Sequence, residues 1–124
     1  MPKVLISDKL SPAAVEIFRA RGLETDFKPG LSPEELLEII ADYDGLAIRS
    51  ATKVTAEVLA KAPNLKVVGR AGIGVDNVDT VAATAAGVVV MNTPFGNAIT
   101  TAEHAIAMMF ALARQIPAAD RSTQ

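Results

Sequence analysis

Two arginines and a glycine-rich turn carry most of the chemistry open to this sequence. Arg49-Ser50 follows the apolar run Gly45–Ile48, and Arg70-Ala71-Gly72-Ile73-Gly74 follows Leu65–Gly69. Guanidinium forks match the oxygens of a carboxylate or a phosphate. Glycines ahead of a helix let backbone N–H groups approach an anion at the helix N-terminus. Both blocks therefore point to an anion site. The competing reading pairs Arg49 and Arg70 with structural carboxylates such as Asp8, Asp44 or Asp76, and residue types and spacing leave the two open.

Other chemistries fail on single positions. Gly72-Ile73-Gly74 opens a dinucleotide fingerprint, but the third glycine would fall at Asn77. The acidic ribose ligand about 20 residues on is missing too, since the next apolar run ends at Asn92. A phospho-receiver would close its third strand with an aspartate, where Arg49-Ser50 stands. A flavin-phosphate loop would need more glycine and hydroxyl than Ser7-Asp8-Lys9-Leu10 offers. The chain has one histidine and no cysteine, so multi-histidine and thiolate metal sites and a cysteine nucleophile are excluded. His104 has Glu103 beside it, but helix neighbours one apart do not face each other, and a packing or surface role is expected. Asp76, Asp79, Glu34 and Glu35 read as first-turn carboxylates that favour the helix dipole.

With 12 basic and 14 acidic residues the net charge is −2, which gives no footprint for nucleic acid. No apolar run nears the roughly 20 residues of a membrane span. The start Met1-Pro2-Lys3 meets Asp8 too soon for a signal peptide. A cytoplasmic protein is expected.

Short β-type runs alternate with helical ones. Strands are expected at Lys3–Ser7, Leu23–Phe27 (near the sheet edge), Gly45–Arg49, Leu65–Gly69 and Val88–Met91. The last is apolar throughout and reads as buried on both faces. Helices are expected from Ser11-Pro12 to Gly22, from Ser32-Pro33 through Ile40, over Thr55–Ala62 and over Asp76–Ala86. A final long helix runs from Ala98 to about Ile116, with Pro117 at its end. The four methionines and four phenylalanines read as core. Five strands alternating with helices imply an α/β fold: a flavodoxin-like, doubly wound parallel sheet of order 2-1-3-4-5. Ligands bind beyond the carboxyl ends of such strands, where both arginines fall. Residues 1–97 form this domain and 98–124 a helical connector. Within the connector Ala105–Ala113 is apolar around its whole circumference, which requires cover on every side.

Several blocks are also similar to a known family. Val4–Asp8, Gly45–Thr55, Val67–Asp79, Val90–Pro94 with Gly96-Asn97, and Leu112–Pro117 resemble, in order and over essentially the whole chain, the D-2-hydroxyacid dehydrogenases, in their phosphoglycerate dehydrogenase branch. The resemblance implies the N-terminal substrate-binding domain of an NAD-dependent oxidoreductase of serine biosynthesis. That enzyme would oxidise 3-phospho-D-glycerate to 3-phosphohydroxypyruvate. It implies that Arg49, Ser50 and Arg70 hold the substrate phosphate and carboxylate, with Asn97 a further polar contact. The Gly72-Ile73-Gly74 backbone would be a lip facing substrate and nicotinamide, with Ile73 where threonine is common. The family's catalytic arginine, glutamate and histidine lie further along than Gln124, so no catalytic residue is expected here, and His104 is not that histidine. The expectation is a chain inactive alone, with NAD used by the full-length enzyme and not tightly bound here. It would bind a phosphorylated hydroxyacid weakly and form a homodimer or helix-exchanged dimer through residues 98–116. The alternatives are a self-standing flavodoxin-like binding module, or part of a dehydrogenase for another 2-hydroxyacid.

Overall fold

The computed structural model describes residues 1–124, which form two compact units, Met1–Pro94 and Phe95–Gln124. The first is a five-stranded parallel sheet of order β2-β1-β3-β4-β5: β1 Lys3–Ile6, β2 Glu24–Phe27, β3 Gly45–Ile48, β4 Val67–Arg70 and β5 Val89–Met91. Parallel neighbours need crossover connections. These are α1 Pro12–Ala20, α2 Pro33–Ile39, α3 Ala56–Ala60 and α4 Thr80–Ala85. The doubly wound α/β architecture and its strand order are those expected.

Local chemistry sets the helix starts. The Ser11 hydroxyl accepts the Ala13 N–H, and a proline follows each of Ser11 and Ser32. Ser32 and Glu35 form a reciprocal capping box, at 3.2 and 2.8 Å. Thr55 caps α3 through the Val58 N–H. α1 and α4 give way to Gly22 and Gly87, at φ +78° and +72°, where a residue without Cβ avoids strain.

The strand register gives the core. Leu5, Leu46 and Val68 align across the sheet. They pack with Ile48, Leu36, Ile40, Val58, Leu59 and Ala83 in one buried cluster. The alternate row, Ile6, Ala47, Gly69 and Met91, faces the other way, as the two-residue strand period demands. Along it burial fades from Ile6 at 0% exposed to Met91 at 54%.

Four expectations are corrected here. β5 is an edge strand, and Val89 and Met91 are more than half exposed; an apolar run does not say which faces are covered. None of the four methionines is buried, and of the phenylalanines Phe18 is half-buried while Phe27, Phe95 and Phe110 are exposed. Aliphatic side chains and Tyr43 make the core instead. α4 begins at Thr80, not Asp76, because Asp79 takes the cap position and accepts the Ala82 N–H at 2.9 Å. The last helix is two: α5 Ala98–Ala113 and α6 Ile116–Thr123, broken at Gln115 in the left-handed region, φ 51°. Pro117 therefore lies in the first turn of α6, where its missing N–H costs nothing. No helix is long and apolar enough to cross a membrane.

Candidate functional site

Parallel strands end along one sheet edge, so the segments after β1, β3, β4 and β5 meet there: Ser7-Asp8, Arg49–Thr52, Ala71–Gly74 and Asn92-Thr93. Side-chain bonds, more than backbone ladders, knit these segments together.

Asp8 is 4% exposed. One of its oxygens accepts the backbone N–H of Arg49 at 2.7 Å and of Thr52 at 3.1 Å. The other accepts the Thr52 hydroxyl at 2.6 Å. That hydroxyl has a single proton, so Ser7, 2.8 Å away, donates to Thr52 Oγ1. A buried carboxylate is stable only with such a full set of donors. From the opposite side, Asn77 Nδ2 donates to the carbonyls of Arg49 and Thr52 at 2.7 and 2.6 Å. Its own oxygen is buried without a partner, an arrangement that costs about 1–3 kcal/mol.

Arg70 is mostly used inside the protein. Its Nε donates to the Arg49 carbonyl at 3.2 Å and its Nη1 to the Gly74 carbonyl. Nη1 also lies 3.5 Å from Asp76, with the arginine side chain 12% exposed. The structural pairing of Arg70 with Asp76 is thus present. Arg49 differs: its guanidinium is exposed, and the bond it makes is to the Lys9 carbonyl at 3.3 Å. Asp8 pairs with its backbone. Asp44, the third carboxylate considered, accepts the Lys3 N–H at 2.8 Å.

The glycine turn is held at its carbonyls. Gly72 accepts the Thr93 N–H at 2.9 Å, and Ile73 accepts Asn92 Nδ2 at 2.6 Å. The turn does not lead straight into a helix. Val75–Asp79 intervene, and the Asp79 carboxylate caps the six-residue α4. The anion-at-helix-terminus reading of Gly72 and Gly74 is therefore corrected.

Arg49, Arg70, Gly72, Ile73 and Gly74 come together at this edge. Exposed Ser50 lines an adjoining groove of about 450 Å³ with Lys53, Thr55 and Asp76–Asp79. A second groove, about 320 Å³, is lined by Arg70, Asn92 and Thr93 with apolar Leu10, Phe18 and Met91. Asn97 lies in the second unit, at the position before α5, and makes no side-chain cap bond. His104 is exposed on α5, and no cluster of acidic or histidine side chains could hold a metal ion. Sequence reasoning assigns no site role to Thr52 and none to the Asn77 and Asn92 side chains, which it uses only to reject the dinucleotide fingerprint. The available signal was their type, since asparagine and threonine side chains commonly bond to turn backbone.

A five-stranded parallel sheet of order β2-β1-β3-β4-β5 with helical crossovers defines a doubly wound α/β domain. Residues 4–123 match the family described as D-isomer specific 2-hydroxyacid dehydrogenase, catalytic domain, and the chain belongs to that family. It is 53% identical over 122 residues to the D-3-phosphoglycerate dehydrogenase of Archaeoglobus fulgidus, covering 98% of this chain and 23% of that protein. Among solved structures, a Pyrococcus horikoshii protein superimposes with a TM-score of 0.85 at 31% identity, covering 98% of this chain and 36% of that one. NAD+-bound 3-phosphoglycerate dehydrogenase from Entamoeba histolytica gives 0.77 at 32%, covering 89% and 38%. The chain thus spans under a quarter of the length of its curated relative.

Proposed function

We propose that this chain is the substrate-binding part of an NAD-dependent, cytoplasmic D-3-phosphoglycerate dehydrogenase of serine biosynthesis. In this reading Arg49 and Ser50 hold the anionic groups of 3-phospho-D-glycerate. Arg70 shapes the site through Gly74 and the Arg49 carbonyl. The observation that carries the proposal is the exposed Arg49 guanidinium on a tightly bonded turn at the ligand edge of the sheet. The identity with proteins of that name supports it. Ile73, 41% exposed, offers an apolar surface to the nicotinamide of an NAD held elsewhere in the enzyme. That cofactor would supply hydride acceptance, and the residues of this chain contribute binding and orientation.

Titration of the isotope-labelled chain with 3-phospho-D-glycerate, followed by NMR, tests the reading. Amides of Ser50, Gly72 and Gly74 are expected to shift with a Kd of about a millimolar, and Arg49→Ala is expected to abolish the shifts. Undiminished shifts in Arg49→Ala, or shifts confined to other regions, would refute it. D-lactate, which lacks the phosphate, separates this substrate from other 2-hydroxyacids by failing to compete.

A further inference from the structure

The position of Arg49 is fixed by two side chains outside the set read as anion ligands, Asp8 and Asn77. Its backbone is gripped on both of its polar groups: Asp8 accepts the N–H at 2.7 Å, and Asn77 donates to the carbonyl at 2.7 Å. Three residues on, Thr52 is gripped by the same two side chains, through its N–H at 3.1 Å and its carbonyl at 2.6 Å. The turn bearing the exposed arginine is therefore clamped at four backbone points by one carboxylate and one amide. Asn77 uses both amide protons on this clamp and leaves its own oxygen buried without a partner. An amide whose buried oxygen has no partner is poorly used for stability alone. It is well used if the geometry of the turn matters.

We propose that Asn77, with Asp8, is a positioning residue for anion binding. By fixing the Arg49–Thr52 turn, it presents the Arg49 guanidinium ready to meet the phosphate or carboxylate of a phosphorylated hydroxyacid. The proposal rests on the reading of Arg49 as the anion ligand. A turn ordered before the ligand arrives spares the ordering cost on binding. The position that breaks the glycine fingerprint thereby gains a purpose, because a glycine there has no side chain to donate.

The test uses the labelled chain in two measurements. Without ligand, the {1H}-15N NOE of the Ser50, Ala51 and Thr52 amides and of the Arg49 side chain reports the order of the turn. With ligand, titrations with 3-phospho-D-glycerate and, separately, inorganic phosphate report affinity. Asn77→Asp keeps the shape and removes both donors. It is expected to lower the NOE of the turn and to weaken binding about tenfold. Asn64→Ala is the control for the loss of a structural asparagine. It removes a similar amide-to-carbonyl bond, Asn64 to Ala41 at 2.9 Å, and should leave both readouts within twofold of wild type. Thr52→Val, which deletes the hydroxyl's bonds to Asp8 and Ser7 and leaves the backbone bonds of the clamp, should give an intermediate effect and serves if Asn77→Asp does not fold. Wild-type NOE or affinity in Asn77→Asp would overturn the positioning role while leaving Arg49 as ligand. A wild-type chain that responds to neither probe would overturn the reading of Arg49, and the proposal with it.

Discussion

Gly74 shows how little room the arginine edge leaves. A Cβ built on it would stand 2.9 Å from Arg70 Nη1 and 3.0 Å from Asp76 Oδ1. Gly74→Ala is therefore expected to part Arg70 from Asp76 and to lower stability by about 1 kcal/mol. Gly69→Ala, where a Cβ meets nothing within 4 Å, should be neutral by the same urea titration. At the far edge of the sheet, Tyr43 donates to Asp26 at 2.7 Å. Lys3 lies 3.3 Å from the same carboxylate. The Tyr43 bond, aided by Lys3, holds Asp26 below its ordinary 3.8. Burial, reinforced by Asp26, pushes the phenol well above its ordinary 10.0. A lowered carboxylate contributes stability above pH 3.8 and loses it as pH falls through the folded value. A raised phenol contributes below pH 10 and loses it as pH climbs. Tyr43→Phe should cost about 1–2 kcal/mol at pH 7, flatten the acid limb and abolish the phenol's alkaline limb. Urea midpoints across pH would check each limb.

Among the elements, α2 owes its start to two residues. Ser32→Ala removes half of the capping box and is expected to cost about 1 kcal/mol, read by chemical denaturation. α5 raises the opposite issue, an excess of exposed apolar surface. Leu112 is 82% exposed, Met109 67% and Phe110 64%. Burying a large apolar side chain is worth roughly 1.5–3 kcal/mol, so we propose that α5 associates, as a homodimer or a helix-exchanged dimer through residues 98–116. Sedimentation should show dimer at concentrations up to about a millimolar. Met109→Lys and Phe110→Lys should shift it to monomer, and a dimer indifferent to both would refute the proposal.

For the molecule as a whole, the glycine fingerprint broken at Asn77 sets the expected activity. The purified chain should reduce no NAD with 3-phospho-D-glycerate, and turnover above a buffer blank that Arg49→Ala abolishes would contradict this. A chain extended by the remaining length of its relatives should gain that activity if it is part of a dehydrogenase, and none if it is a self-standing binding module.

The division between what sequence and tertiary structure each decide follows from the range of the forces involved. The alternation of strands and helices, the serine–proline helix starts and the glycine stops were legible because they rest on periods and caps spanning a few residues, and strand order followed from the crossovers that this alternation requires. The failed fingerprint at Asn77 was legible for the same reason, since one position breaks it. The cover of β5 was not: the order 2-1-3-4-5 puts it at the edge, but Val88–Met91 is apolar whether other elements pack on its faces or leave Val89 and Met91 open. The start of α4 turned on whether Asp76 or Asp79 took the cap, two residues of one type three positions apart. Both arginines looked alike in sequence. Folding separated them, turning Arg70 inward onto Gly74 and Asp76 and leaving Arg49 outward on a turn that Asp8, 41 positions earlier, and Asn77, 28 later, hold in place. Side-chain bonds over such separations exist only once the strand ends have met, so sequence could name the candidate ligands but only the fold decides which contacts each one makes.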